Sequence, residues 1–190
     1  MAFWAGAAET SRRARTAGRL EEKSESMSIR FNADEVLEIA QDIERNGADF
    51  YKRAAELGQS GSARAMLLEL AAMEEDHEKT FAEMRSGLTE AERRQMTYDP
   101  GEELPLYLQV MADKGVFGKK SEPARAFTGK ETIEEVLRLA IGLEKDSIVF
   151  YLGLEELVPE RLGGPRMEQI IKEEMSHLTT LGDLLRCARG

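Results

Sequence analysis

Residues 32–51 read NADEVLEIAQDIERNGADFY, and one hundred positions later residues 132–151 read TIEEVLRLAIGLEKDSIVFY. At that offset Asn32 matches Thr132, Glu35 matches Glu135, Val36 and Leu37 match Val136 and Leu137, and Ala40 matches Ala140. Glu44 matches Glu144, Phe50 matches Phe150 and Tyr51 matches Tyr151. The correspondence continues downstream, where Leu70, Glu74 and His77 meet Ile170, Glu174 and His177. An internal repeat of this kind means that one supersecondary unit is used twice.

Each copy opens on a capping-box pattern, Asn32-x-x-Glu35 and Thr132-x-x-Glu135, in which the cap side chain takes an orphan backbone N–H at a helix start. From Asn32 the positions Val36, Ala40, Ile43, Gly47, Phe50, Tyr51 and Ala54 recur at three and four residues. That is the stripe of an amphipathic helix, predicted to run to about Leu57 and to stop at Gly58. A second helix is predicted after the turn at Gln59 to Ser62, with Met66, Leu67, Leu70, Met73, His77, Phe81 and Met84 on its inner side and its end near Gly87. A third runs from about Thr132 to Leu157, before Pro159. A fourth starts at Gly164-Pro165, proline being suited to the first helical position, and continues towards Arg186.

The short joins, Gly58 to Ser62 and Val158 to Pro165, make two antiparallel helical hairpins. Between them Ser86 to Lys130 forms a long crossover containing Pro100, Pro105 and Pro123, in which Glu103 to Lys114 can form a short extra helix. The expected fold is all-α: an antiparallel four-helix bundle of two helical hairpins joined by a long crossover.

At 190 residues, 42% hydrophobic and 33% charged, the chain suits one domain of solvated amphipathic helices. We place that domain at 29–190 and an N-terminal tail at 1–28, whose Arg12, Arg13, Arg15 and Arg19 are diluted by Glu9, Glu21, Glu22 and Glu25. Met27 offers an alternative start. A formal net charge of -10 disfavours nucleic acid and suits cations. Cys187 is the only cysteine, which excludes a disulfide framework, a zinc ribbon and a four-cysteine iron centre, and points to a reducing cytoplasm. No stretch approaches the roughly 18–20 apolar residues that span a bilayer, so no membrane partner is expected.

The chemistry lies within the repeat. Glu44 and Glu144 fall on the apolar stripes of helices 1 and 3, and Glu74-x-x-His77 and Glu174-x-x-His177 fall on those of helices 2 and 4. Packing the bundle therefore drives four carboxylates and two imidazoles into one core, where each uncompensated charge costs several kcal/mol. Two divalent cations cancel four carboxylates, and the i, i+3 spacing lets one helical turn offer an oxygen and a nitrogen to the same metal. Tyr51 and Tyr151, two turns beyond Glu44 and Glu144, can serve as core aromatics or place hydroxyls near the carboxylates. Glu75, Asp76 and Glu173 adjoin the ligand pairs but are assigned to a solvated face. Cys187 is expected to be a free structural thiol.

Glu44, Glu74-x-x-His77, Glu144 and Glu174-x-x-His177, spread over residues 30 to 188, give the chain a pattern that resembles the ferritin-like superfamily, and within it the rubrerythrin and bacterioferritin branch. The resemblance implies a ferritin-like bundle, two Fe ions, and use of the Fe(II) pair to reduce hydrogen peroxide or dioxygen. Manganese or zinc also suits such ligands, so a dimanganese catalase-like enzyme and an iron sequestration or delivery protein are the alternatives. The chain lacks the rubredoxin domain usual in rubrerythrins, so an external electron donor is implied. It also has Ser147 where rubrerythrins carry an extra glutamate, and Gly47 at the matching place in helix 1. A homodimer is the expected assembly.

Overall fold

The computed structural model describes residues 32–57, 61–95, 130–155 and 157–189, and among them all regular structure is helical. Helix α1 spans Ala33–Glu56, α2 Ser62–Ser86, α3 Glu90–Arg94, α4 Ile133–Glu155 and α5 Glu160–Ala188. The expected all-α bundle of two helical hairpins is therefore the observed architecture. Residues 1–28 and the predicted helix at 103–114 lie outside the described residues.

The helix starts follow from the caps. Asn32 accepts from the Glu35 N–H at 2.9 Å while its own N–H donates to Glu35 Oε2 at 3.0 Å. Thr132 repeats the arrangement with Glu135, at 3.3 Å and 2.8 Å. The small helix α3 was not anticipated, although Thr89-x-x-Glu92 makes the same capping box ahead of it. Between α1 and α2, Gly61 sits at φ 68°, a left-handed conformation that glycine adopts without a Cβ penalty.

Helix α5 departs from the expected start. It begins at Glu160, one turn before the predicted Gly164-Pro165, leaving Pro165 inside the helix. Pro159 instead provides the boundary, its carbonyl accepting from Leu162 at 2.8 Å and Gly163 at 3.1 Å. The extra turn is held by packing: buried Val158 lies against Gly163, where a Cβ would come within 2.8 Å of Val158 Cγ1. Pro165 removes one backbone hydrogen bond from this helix.

Cross-helix contacts fix the directions. Arg85 near the end of α2 pairs with Asp34 at the start of α1 at 2.9 Å, and Arg189 beyond α5 pairs with Glu134 at the start of α4 at 2.7 Å, so both hairpins are antiparallel. Arg166 meets Glu83 at 3.3 Å, which sets α5 antiparallel to α2. The chain thus leaves one end of the bundle at Gln95 and returns at the other end at Lys130. Two apolar clusters fill the interior. One contains Val36, Leu37, Phe81, Met84, Phe150, Leu154, Met167 and Ile170, and the other Phe50, Ala54, Leu67, Leu70, Val136, Leu137, Leu181 and Leu184. The candidate site is the layer between them.

Candidate metal centre

Glu44, Glu74, His77, Glu144, Glu174 and His177 are all buried, none more than 3% exposed. Each main helix contributes because its ligand occupies the same stripe as its core residues, with Glu44 between Ala40 and Tyr51 and His77 between Leu70 and Phe81. The six fall into two groups whose ligand atoms lie within 4.8 Å of one another: Glu44, Glu74, His77 and Glu174, and Glu74, Glu144, Glu174 and His177.

Glu74 and Glu174 belong to both groups, and their oxygens divide accordingly. Glu74 Oε2 is 3.6 Å from His77 Nδ1 while its Oε1 is 3.3 Å from His177 Nδ1. Glu174 places Oε1 3.0 Å from His77 Nδ1 and Oε2 3.3 Å from His177 Nδ1. Glu44 Oε2 lies 3.7 Å from His77 Nδ1, and Glu144 Oε1 3.6 Å from His177 Nδ1. The two imidazoles stack with centroids 5.7 Å apart and planes 22° from parallel. The arrangement has two adjacent positions, bridged by Glu74 and Glu174 and closed at the sides by Glu44 with His77 and by Glu144 with His177.

Hydrogen bonding among these groups is incomplete. His77 Nδ1, both oxygens of Glu174, and Nδ1 and Nε2 of His177 are buried without a hydrogen-bond partner. One imidazole N–H cannot satisfy three carboxylates at 3.0–3.7 Å, and orphaned buried polar atoms are costly. Four of the five orphans converge on the space between the helices, and together they are hard oxygen and imidazole donors, so the residues fit a pair of divalent transition-metal ions.

The electrostatics agree. Burial, followed by the Glu74 and Glu174 charges, raises the Glu44 carboxyl well above the usual range, and burial with the Glu174 and Glu74 charges does the same to Glu144. Burial lowers an imidazole's pKa, but the surrounding carboxylates overcome it, so His77 is strongly raised and His177 is raised to about 12. Glu74 and Glu174 are lowered despite burial, the imidazoles beside them at 3.0–3.6 Å favouring the charged carboxylate. Without a metal the layer therefore favours proton retention on Glu44, Glu144 and the two imidazoles, positive charge that offsets the buried carboxylates.

The tyrosines sit against the ligands, and each crosses to the other half of the repeat: the Tyr51 hydroxyl donates to Glu144 Oε1, and that of Tyr151 donates to Glu44 Oε1. Both phenols are pushed up by burial and then by the nearby carboxylates, so they remain protonated donors. Gly47 packs on the layer as well, since a Cβ there would meet Glu74 Cγ at 3.4 Å. Ser147, its counterpart, is buried beside Glu144 in α4.

Glu173 corrects the sequence reading. Glu75 and Asp76 do lie at the surface, paired with Lys52 at 2.6 Å and Lys79 at 2.8 Å. Glu173 instead places Oε2 2.8 Å from His77 Nε2. Within α5 alone Glu173 points away from Glu174, but α2 lies along that flank and brings His77 to it. A carboxylate next to the Glu-x-x-His pair was the available signal. A cavity of about 450 Å³ opens on the same α2/α5 seam, with His77, Glu173, Asp76, Glu83, Gln169 and Arg166 among its walls. Cys187 is exposed near the end of α5, so its thiol supports no packing.

An antiparallel bundle that carries a Glu from two helices and a Glu-x-x-His from the other two is the architecture of ferritin-like carboxylate proteins. No protein-family model and no curated protein matches the chain. A solved structure does: a Thermotoga maritima protein assigned as a ferritin-like diiron-carboxylate protein is 26% identical, with a TM-score of 0.64 over 83% of this chain and 96% of that one. The likeness and the fold together place this chain in the ferritin-like superfamily. No described helix is long and apolar enough to cross a membrane.

Proposed function

We propose that this protein is a di-iron oxidoreductase of the rubrerythrin and bacterioferritin type, which uses Fe(II) to reduce hydrogen peroxide or dioxygen. The observation that carries the reading is the division of the Glu74 and Glu174 oxygens between two adjacent four-ligand groups. Glu44, Glu74, His77, Glu144, Glu174 and His177 would hold the pair, and two Fe(II) ions bound there would supply the two electrons that, with two protons, reduce one hydrogen peroxide to two waters. The residues of the chain do the rest. The four carboxylates, as hard oxygen donors, would favour the higher metal charge. Tyr51 and Tyr151 hold Glu144 and Glu44 in place and keep a proton within reach of each, while the apolar clusters on both sides exclude bulk water. The cavity at His77 offers a small oxidant or a metal ion a path from the surface.

An electron donor that restores Fe(II) from outside the bundle is part of this proposal, since these 190 residues hold one cysteine. A cytoplasmic setting is part of the same proposal, with Cys187 a free thiol. The test is anaerobic loading with Fe(II) followed by hydrogen peroxide or dioxygen, read by optical spectroscopy. Two irons per chain and oxidation faster than that of free iron are expected; fewer irons, or no acceleration, defeats the proposal.

A further inference from the structure

We propose that the two metal positions are inequivalent and that Glu173, as a positioning residue, makes the Glu44/His77 position the one that fills first. The inference rests on the di-metal reading above. Every ligand has its counterpart one hundred residues away, but Glu173 does not: the matching residue in the first half is Met73. His77 Nε2 meets Glu173 Oε2 at 2.8 Å, and Gln169 steadies the other oxygen of that carboxylate at 3.0 Å. His177 Nε2 is buried with no partner.

An N–H donated from Nε2 to a carboxylate fixes the tautomer, leaving the Nδ1 lone pair directed at Glu44, Glu74 and Glu174, and makes that nitrogen a stronger donor. His177 is aimed by packing alone. Outer carboxylates of this kind are typically worth about 10–100-fold in metal affinity. The cavity opens on the same side, with Glu173 in its wall, so an arriving cation also meets the His77 position first.

The test is to load the full chain with one equivalent of Mn(II) per chain and compare the two occupancies by anomalous diffraction, alongside calorimetric titration in solution. The wild type should show an occupancy ratio of about tenfold or more favouring His77, and a two-step titration. E173M removes the carboxylate at His77 Nε2 and should bring the occupancies level. Equal occupancy in the wild type, or a ratio unchanged in E173M with circular dichroism intact, overturns the inference alone. No Mn(II) uptake by the wild type removes the di-metal reading as well.

A second inference comes from the outer face of α4. Where α1 carries the charged residues Asp42, Asp49 and Lys52, the matching α4 positions are Gly142, Val149 and Leu152. Val149 and Leu152 are 45% and 51% exposed, and Leu139 on the same face is 40% exposed. We infer that this face is the contact between two copies of the chain. An antiparallel pairing of two α4 helices about a two-fold axis between Lys145 and Asp146 sets Leu139 against Leu152, Gly142 against Val149, and each Lys145 against the Asp146 of the other copy. Gly142 has open space where a Cβ would stand, leaving room for the valine, and neither Lys145 nor Asp146 has an ion-pair partner among the described residues. Such self-complementarity is what a two-fold interface requires.

Sedimentation equilibrium should give twice the 21.3 kDa chain mass for the wild type. V149E/L152E should give the monomer with unchanged helicity. K145D should weaken the dimer at least tenfold, and K145D/D146K should restore it by exchanging the charges. A monomeric wild type, as when another part of the chain covers α4, overturns the inference, as does a dimer indifferent to these substitutions.

Discussion

Metal loading should stabilise the fold by an amount that depends on which glutamate is intact. A ligand that binds only the folded state at about 100 times its dissociation constant contributes about 2.7 kcal/mol, so two positions contribute about 5 kcal/mol. In a chain of this size each kcal/mol moves the melting temperature by about 2–4 °C, which predicts a rise of about 10–20 °C on adding Mn(II) to the chelator-stripped protein. Glu174 serves both positions and Glu44 only one. Glu174→Gln should therefore abolish the rise, whereas Glu44→Gln should keep about half of it. Each comparison is made within one variant, with and without metal, so the effect of the substitution on the apo fold cancels. Calorimetric melting is the assay. A wild-type rise below about 2 °C, or an equal loss in both variants, would refute the shared-ligand geometry.

Metal uptake should release protons, because Glu44, Glu144, His77 and His177 all have pKa values raised in the metal-free layer. The sign follows: lower pH favours the protonated apo form, affinity rises with pH, and titration in buffers of different ionisation enthalpy counts the protons. Tyr51→Phe and Tyr151→Phe each remove a buried hydrogen bond to a ligand carboxyl and should cost the apo protein about 1–3 kcal/mol in denaturant unfolding. Gly47→Val drives a side chain onto Glu74 and, because Glu74 serves both positions, should lower metal stoichiometry below two by elemental analysis. Phe81→Ala empties a fully buried site beside Tyr151 and should cost about 3–5 kcal/mol by the same unfolding assay.

The hairpins and the gathering of six ligands were legible because both depend on period. Ligands placed on an apolar stripe must enter the core wherever the stripe does, whatever the details of packing. Properties of neighbouring helices were not legible. Glu173 lies on the flank of its own helix, and only the position of α2 decides that His77 meets it. The crossing of Tyr51 to Glu144 and of Tyr151 to Glu44 likewise depends on α1 and α4 running antiparallel side by side. The start of α5 was missed because Pro165 satisfied a local rule, while the contact of Val158 with Gly163, which supports an earlier turn, is tertiary. The capping box at Thr89 could have been read but lay in a segment treated as crossover.

On the proposed di-metal reading, ligand sharing also explains why this chain uses both copies of its repeat. The first hairpin supplies Glu44, Glu74 and His77 to one position, and the second supplies Glu144, Glu174 and His177 to the other. Each position takes its fourth ligand, and its tyrosine, from the opposite hairpin. A hairpin alone thus holds an incomplete position, and it is docking that buries its three ionisable groups, which burial without compensation penalises heavily. Docking the hairpins completes both positions at once, so metal affinity and hairpin association are linked, and each must strengthen the other by the same free energy.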